Sequence, residues 1–580
     1  MLGNPPWERI KIQEKEFFVQ RDTRIAQARN AAERKKLIAG LKDDPDRAEL
    51  YREFVEAKRK SEGESHFLRL SSRYLLTGRG DINTYAVFAE NNRCLVGKTG
   101  RCGVIVPTGI ATDATTQHFF KDLVLSGSIS VLYDFENAKP LFESVHRSFR
   151  FCILSMVGSG MRVHEARFAF YLRNPLELSD AKNTFSLTPE EISLLNPNTG
   201  TLPVFRSRRD AEIVTEIYRR VPVLVREGDP KGNPWGVSFM AMFHMANDSH
   251  LFRTAEQLEA EGWELRGNIY ERDGKRMLPL YEAKMLHHFD HRFGTYEGQT
   301  KSQANRGTLP SVTPEQHNDP DFVVMPRYWA PEFNIQKGRK NRKGKEVYCP
   351  GVVDRISKKN WNRKWILGWR DVCRASDHRT SIISFAPLVA FGHKYLLMFS
   401  SKGADLISVL CGMQSSFVYD YVSRQKISGT SMNFFIWRQI PVFPPESVKP
   451  HVPFVVPRVL ELTYTAHDMA PFARDLGDDG PPFRWDEERR MIIRAELDAL
   501  FFHLYGIKRD DVSYIMETFP IVKRKDEEKC GTYRTKDLIL EVYDRMASAG
   551  VSLDNPLIDG ENFTSSLTPP PGRGPRHNTI

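Results

Sequence analysis

Apolar runs alternating with helical patches between residues 82 and 158 limit the fold of this chain more than any other feature. INTYAVFAE (82–90), RCGVIVPTG (101–109), SISVLYDFE (128–136) and SFRFCILSMVG (148–158) are dense in β-branched and aromatic residues. Such side chains pack well on a pleated surface, so each run reads as a strand. Between two of them, TTQHFFKDLVL (115–125) repeats apolar residues at helical spacing. Strands interleaved with helices imply an α/β sheet.

The flanks differ. Residues 8–67 are rich in Glu, Lys, Arg, Gln and Ala, with Pro45 their one proline; they read as two long helices broken near KDDPDR (42–47). From 236 to 450 the chain is irregular, with turns, aromatics and basic loops. Residues 486–548 read as helical, and DEERRMIIRAELDALFFHLYGI (486–507) as the strongest amphipathic helix. The Pro-, Gly-, Ser- and Thr-rich stretch from 556 to 580 reads as a disordered tail. At 580 residues the chain has room for several domains.

Charge and cysteines narrow the class. Lys and Arg total 83 against 73 Asp and Glu, a net +10. The bias is modest, but its clustering points to a polyanionic partner. Seven cysteines (94, 102, 152, 349, 373, 411 and 530) form no CxxC pair. That argues against a zinc ribbon or disulfide framework and fits a reducing, cytoplasmic setting. No apolar run approaches the roughly 20 residues needed to span a bilayer. ERIKIQEKEFF (8–18) does not read as a leader.

The chemistry is in the first residues, MLGNPPWERI. Pro5 and Pro6 fix φ twice and remove two backbone donors, and they push Asn4 towards an extended conformation. A strand end running into a stiff turn results. The primary amine of a nucleobase is a poor nucleophile because its lone pair is delocalised into the ring. An Asn4 side-chain oxygen and the Pro5 carbonyl can accept both amine protons, which pushes the nitrogen towards a tetrahedral state. Trp7 offers a face on which an extruded base can stack.

Asn4-Pro5-Pro6-Trp7 resembles the Asn-Pro-Pro-aromatic motif of amino-methylating DNA methyltransferases. LGNPPWERIKIQEKEFF is similar to the large adenine-specific group linked to type II restriction–modification and phage-defence systems. GRGDINTYAVFAE resembles the segment that follows the motif in that group, and GRCGVIVPTGIATD the next core strand. NAKPLFESVHRSFRFCIL resembles the later loop and strand whose aromatic helps hold the flipped base; Phe142 is the better match and Phe149 the second. FVYDYVSRQKISGTSMNFFIWRQIPVFPP (417–445) resembles the closing segment of target-recognition domains. RAELDALFFHLYGI and YIMETFPIVKRKDEEKCGTYRTKDLIL look like the group's C-terminal helical region.

The resemblance implies an α/β fold: an incomplete S-adenosylmethionine-methyltransferase (Rossmann-like) sheet, then an α+β target-recognition domain and a helical C-terminal region. The expected layout is 1–235 for the catalytic part with a helical insertion at 8–67, 236–455 for recognition, 456–555 for helices and 556–580 for the tail. The implied activity is methyl transfer from S-adenosylmethionine to adenine in double-stranded DNA. Asn4, Pro5, Pro6 and Trp7 would be catalytic, with Trp7 and Phe142 stacking on the base. Amino-methylation of cytosine is the chemical alternative, which the leading Asn disfavours. A non-enzymatic specificity subunit is the alternative of a different class.

The glycine-rich cofactor loop of that group precedes the catalytic motif, and here no such loop is found. MVGSGM (156–161) contains a GxG but reads as a turn. Cofactor-binding residues therefore stay unassigned. A split-gene subunit completed by a separate chain carrying the cofactor-binding half, a truncated reading frame or a fragment would each account for this.

For DNA contacts, FNIQKGRKNRKGKE supplies Lys337, Arg339, Lys340, Arg342, Lys343 and Lys345. SKKNWNRKW supplies Lys358, Lys359, Trp361, Arg363 and Lys364 beside Trp365. Basic residues interleaved with aromatics suit phosphate contacts and positioning. RASDHRT offers Arg374 or Arg379 to a base edge. LYEAKMLHHFDHRF gathers His287, His288, Asp290 and His291; on a helix His287 and His291 would be i and i+4, as in a zinc pair. The same stretch is similar to a recurring segment of the group, which needs no metal, so none is expected.

Overall fold

Gly103 lets Leu2 lie close against the second strand: a Cβ there would meet the Leu2 Cδ2 at 3.0 Å. This approach belongs to a computed structural model that describes every residue except 29, 30, 139, 140, 144, 148, 335–348, 579 and 580. The chain is mixed α/β, with several sheets and a helical C-terminal region, and it divides into two units, Met1–Thr215 and Glu216–Ile580.

The first unit holds six strands: β1 (Leu2–Gly3), β2 (Arg101–Pro107), β3 (Ile129–Glu136), β4 (Arg150–Val157), β5 (Ala166–Leu172) and β6 (Phe185–Leu187). Their order is β1-β2-β4-β3-β5-β6. β1 runs parallel to β2, with Leu2 opposite Gly103. β4 is antiparallel to both β2 and β3, and β3 is parallel to β5. Alternate β2 residues Cys102, Val104 and Val106 are buried, as a half-buried strand requires.

Two expectations for this unit are corrected. Residues 82–90 are not a strand: Thr84–Leu95 is a helix whose N-cap Asn83 accepts from the Tyr85 N–H. Its buried residues Tyr85, Ala86 and Ala89 share one helical face, so spacing outweighs their β-forming side chains. The first of the two long helices is three short ones, Glu14–Val19, Thr23–Ala26 and Ala31–Gly40. The Asp22 carboxylate accepts from the Ile25 N–H and restarts the helix there. The second runs unbroken over Ala48–Leu70, and Phe18, Ile25, Leu41 and Phe54 form a small core of their own.

The second unit adds β7 (Ser238–Met240), β8 (Glu264–Arg266), β9 (Ile269–Arg272), β10 (Lys275–Tyr281), β11 (Trp329–Pro331), β12 (Trp365–Arg370), β13 (Ile383–Pro387), β14 (Ala390–Phe391) and β15 (Tyr395–Phe399). One sheet runs β13-β12-β15-β7; the other runs β11-β10-β9-β8, with β14 beside β10. The second compact unit starts at Glu216. Residues 216–235 join the second unit through Leu224 N–H to the Ile440 carbonyl (3.0 Å) and Trp235 Nε1 to the Phe443 carbonyl (2.9 Å).

Residues 456–580 also belong to this second unit. Helix Glu487–Leu504 is not an amphipathic surface helix. It is buried on most sides, carrying Arg489, Arg490, Glu496 and Asp498 inwards. Two of those charges, Arg489 and Glu496, hold the tail, which is ordered in the described residues. Arg458, fully buried, pairs with Glu496 (2.8 Å) and Asp559 (2.7 Å). Ser565 donates to Glu496 at 2.6 Å, and Arg489 donates to the Pro569 carbonyl at 2.7 Å. Composition alone missed this because few apolar residues anchor the tail, Leu557 and Phe563 among them, and its carbonyls and polar side chains supply the rest.

Candidate active site

β1 ends at Gly3 and hands the chain to the Asn4-Pro5-Pro6-Trp7 corner. Asn4 is exposed and Pro5 is buried. The Pro6 carbonyl accepts from the Thr84 hydroxyl at 2.6 Å. The same hydroxyl accepts from the Glu8 N–H at 2.9 Å, and the Thr84 N–H donates to the Glu8 carbonyl at 2.9 Å. The corner is thus fastened to the start of helix Thr84–Leu95. Among the described residues, no hydrogen bond engages the Asn4 side chain or the Pro5 carbonyl. Two acceptors stand at one strand end on a backbone that two prolines make rigid.

The last residue of the corner, Trp7, joins an aromatic floor. Trp7 packs against a cluster of Phe135, Phe151, Ala169 and Leu172. Phe142 meets Phe151 edge-on at 5.1 Å, and Phe135 stacks on Phe151 at 5.5 Å. The fold therefore brings Trp7 and Phe142, far apart in sequence, onto one aromatic group. Phe142 keeps 36% of its surface exposed; Phe149 keeps 52%.

Sequence reasoning missed three supports of this site. Asn137, fully buried, accepts from the Leu141 and Phe142 N–H groups (2.9 and 3.1 Å). It donates to the Phe142 and Val145 carbonyls (3.0 and 2.8 Å). Asp134, buried in β3, takes hydrogen bonds from Thr108, Arg150 and the Tyr171 N–H. The guanidinium of Arg150 lies 4.1 Å over the Tyr171 ring, and that of Arg206 lies 4.5 Å over it. Tyr171 itself has φ +59°, the left-handed region that a bulky residue occupies only under constraint. The available signal was an acid inside the apolar run VLYDFE. Thr84, the third support, carried none.

The GxG turn at 158–160 is used within the unit. Gly158 N–H donates to the Gly100 carbonyl and Gly160 N–H to the Lys98 carbonyl, both at 2.9 Å. Those donors do not face a ligand.

In the second unit, Lys337, Arg339, Lys340, Arg342, Lys343 and Lys345 lie outside the described residues. Lys358 and Lys364 are exposed, and Lys359 is half-buried. Trp361 donates from Nε1 to the Trp365 carbonyl (2.8 Å) and packs edge-on against Trp365 and Phe399. Arg363 covers the Trp365 ring at 4.9 Å and donates to the Lys402 carbonyl at 3.0 Å. Trp361 and Arg363 are therefore packed into the fold here, whereas Lys358 and Lys364 remain solvent-exposed. Arg374 is exposed. Arg379 is not available to a base edge: it is buried, donating at 2.6 Å to both Asp420 and the Ser415 carbonyl.

The histidine cluster is not helical. His287 and Asp290 exchange backbone hydrogen bonds (2.8 and 3.0 Å) in a tight turn. His291 pairs with Asp468 at 2.8 Å, and Asp290 with His317 at 3.3 Å. The i, i+4 spacing thus never places two ligands on one face. No group of three or more metal-ligating side chains occurs among the described residues.

No protein-family model and no curated protein matches the chain. Solved structures do. The type IIL restriction–modification enzyme MmeI in complex with DNA is 12% identical, with a TM-score of 0.39 over 79% of this chain and 55% of that one. A nuclease-deletion mutant of the type ISP enzyme LlaGI, bound to a DNA substrate mimic, is 11% identical, with a TM-score of 0.35 over 84% and 36%. A DrdV–DNA complex is 9% identical, with a TM-score of 0.33 over 78% and 44%. The chain spans about half the length of MmeI and less of the other two. No described helix is long and apolar enough to cross a membrane.

Proposed function

We propose that the first unit is the base-binding, catalytic part of an adenine-specific DNA methyltransferase of a restriction–modification or phage-defence system, and that the second unit recognises double-stranded DNA. One observation carries this reading. Asn4 and the Pro5 carbonyl, both without partners among the described residues, stand at a proline-locked strand end that leads directly into Trp7, which packs on the same aromatic group as Phe142.

Each part has a task. The flipped adenine stacks on Trp7, with Phe142 closing the other side. The Asn4 Oδ1 and the Pro5 carbonyl each accept one proton of the amine, which localises the lone pair on nitrogen. Because Thr84 anchors the neighbouring Pro6 carbonyl, the acceptors need not reorganise as the reaction proceeds. The donor implied by the resemblance, S-adenosylmethionine, supplies an electrophilic methyl group. The GxG turn at 158–160 does not fit that donor, because its N–H groups are engaged by the Lys98 and Gly100 carbonyls. No residue of this chain is assigned to it.

Asn4→Ala tests the reading. Single-turnover methylation of adenine should be abolished while DNA affinity persists, because the Asn4 interaction matters mainly in the transition state. Near-normal turnover would remove Asn4 from the chemistry. Trp7→Ala should instead weaken the flipped state by about 1–3 kcal/mol, seen as a reduced 2-aminopurine fluorescence change on DNA binding.

A further inference from the structure

The second unit encloses a cavity of about 370 Å³, within the size range of small-molecule sites. Its walls come from the His287–Asp290 turn, the start of helix Phe417–Arg424, helix Glu487–Leu504 and the helices Pro520–Cys530 and Arg534–Ser548. It uses no residue of the Asn4–Trp7 site.

His288 lines this cavity while only 5% exposed, and neither of its ring nitrogens has a hydrogen-bond partner. Buried polar atoms are almost always paired, so an orphaned imidazole facing a cavity calls for an occupant. Burial, aided by the Arg379 charge, pushes its pKa well below the usual value. A neutral imidazole presents one donor and one acceptor. The turn is held rigidly: Phe289 has φ +55°, and its carbonyl is fixed by Arg490 at 3.1 Å. A strained, bulky residue of this kind persists where the surroundings over-determine it, commonly at ligand sites.

The remainder of the lining is graded. Phe417, Met491 and Leu538 give apolar walls, and Lys525 and Lys529 stand at the lining's exposed side. The two lysines are i and i+4 on one helix and share a face. Among the described residues, neither lies within ion-pair distance of a carboxylate. The lining acids are hydrogen-bonded at the wall itself: Asp498 accepts from the Phe417 N–H, Asp526 from the Thr535 N–H, and Glu487 accepts from the Trp485 indole and pairs with Arg494 at 3.7 Å.

We propose that this cavity binds a nucleoside monophosphate, with its base inward against His288 and its phosphate at Lys525 and Lys529. A base edge offers both donors and acceptors, so it can pair one nitrogen of a neutral imidazole in either tautomer, its faces match apolar walls, and two unpaired ammonium groups suit a phosphate.

Isothermal titration of the full chain with the nucleoside 5′-monophosphates, the parent nucleosides and inorganic phosphate tests this. At least one monophosphate should bind about tenfold tighter than its nucleoside or inorganic phosphate. The double variant Lys525→Ala/Lys529→Ala, on an exposed helix face, should erase the difference between nucleotide and nucleoside. His288→Phe should weaken both equally, and His288→Gln, which keeps a donor and an acceptor, should restore part of the binding. The proposal is overturned if no monophosphate binds at millimolar concentration. It is equally overturned if inorganic phosphate binds as tightly as the nucleotides, or if the lysine variant leaves nucleotide binding unchanged.

Discussion

Asn137 holds Phe142 at both its N–H and its carbonyl, at 3.1 and 3.0 Å, with one side-chain amide. A fully buried asparagine thereby fixes the exposed ring at the edge of the aromatic floor.

Asn137→Ala should therefore release the loop. The substitution removes all four side-chain hydrogen bonds that hold Leu141, Phe142 and Val145, at a cost of about 1–3 kcal/mol. Chemical denaturation measures that cost. In the proposed role, the variant also gives a smaller 2-aminopurine signal, while Asn137→Asp, which keeps the two acceptor interactions, stays between it and the parent. A signal equal to the parent's in Asn137→Ala would separate Phe142 from base binding.

Neutralising Lys337, Arg339, Lys340, Arg342, Lys343 and Lys345 together should lower affinity for cognate and unrelated duplexes alike. Every phosphate that these side chains no longer neutralise flattens the slope of log K against log salt by about 0.9. If two to four of the six contact phosphates in the proposed role, the slope changes by roughly two to four units, with sequence preference retained. An unchanged slope would move recognition to Lys358, Lys364 and the 417–445 segment.

Asp290 sets an acid limit on stability. Burial opposes its charge, but the His317 hydrogen bond and charge, with Arg490 and the Arg292 N–H, outweigh it and hold the pKa at about 2. A carboxyl depressed in the folded state stabilises above its unfolded pKa, near 4, and that contribution fades as pH falls from about 4 to 2. Asp290→Asn should thus cost about 2 kcal/mol at pH 7. Urea midpoints taken from pH 7 down to pH 3 should converge with the parent's. A constant gap across that range would place the effect in packing instead.

The tail should matter for stability. Asp559→Ala removes one of two carboxylates on the fully buried Arg458. Leaving a buried charge short of a partner is costly, about 3 kcal/mol. A melting temperature unaffected by this change would show that Glu496 alone suffices for Arg458.

The sequence by itself determined the strands at 101–109, 128–136 and 148–158, the helical run at 486–548 and the rigid corner at Asn4–Trp7. These follow from local causes: side-chain periodicity, proline geometry and the chemistry of an amide acceptor. Tertiary structure decided the rest. It made 82–90 a helix, because one face of Tyr85, Ala86 and Ala89 had a core to enter. It made helix Glu487–Leu504 an interior one, because inward charges there found Glu461, Arg458 and the tail carbonyls as partners. It took Arg379 from the surface and gave it to Asp420. And it joined Trp7 to Phe142, since parallel pairing of Leu2 with Gly103 and antiparallel pairing of β2 with β4 bring residues far apart in sequence to one end of a sheet. Periodicity reports which side of an element is apolar; only the packed chain supplies what that side, or a buried charge on it, will meet.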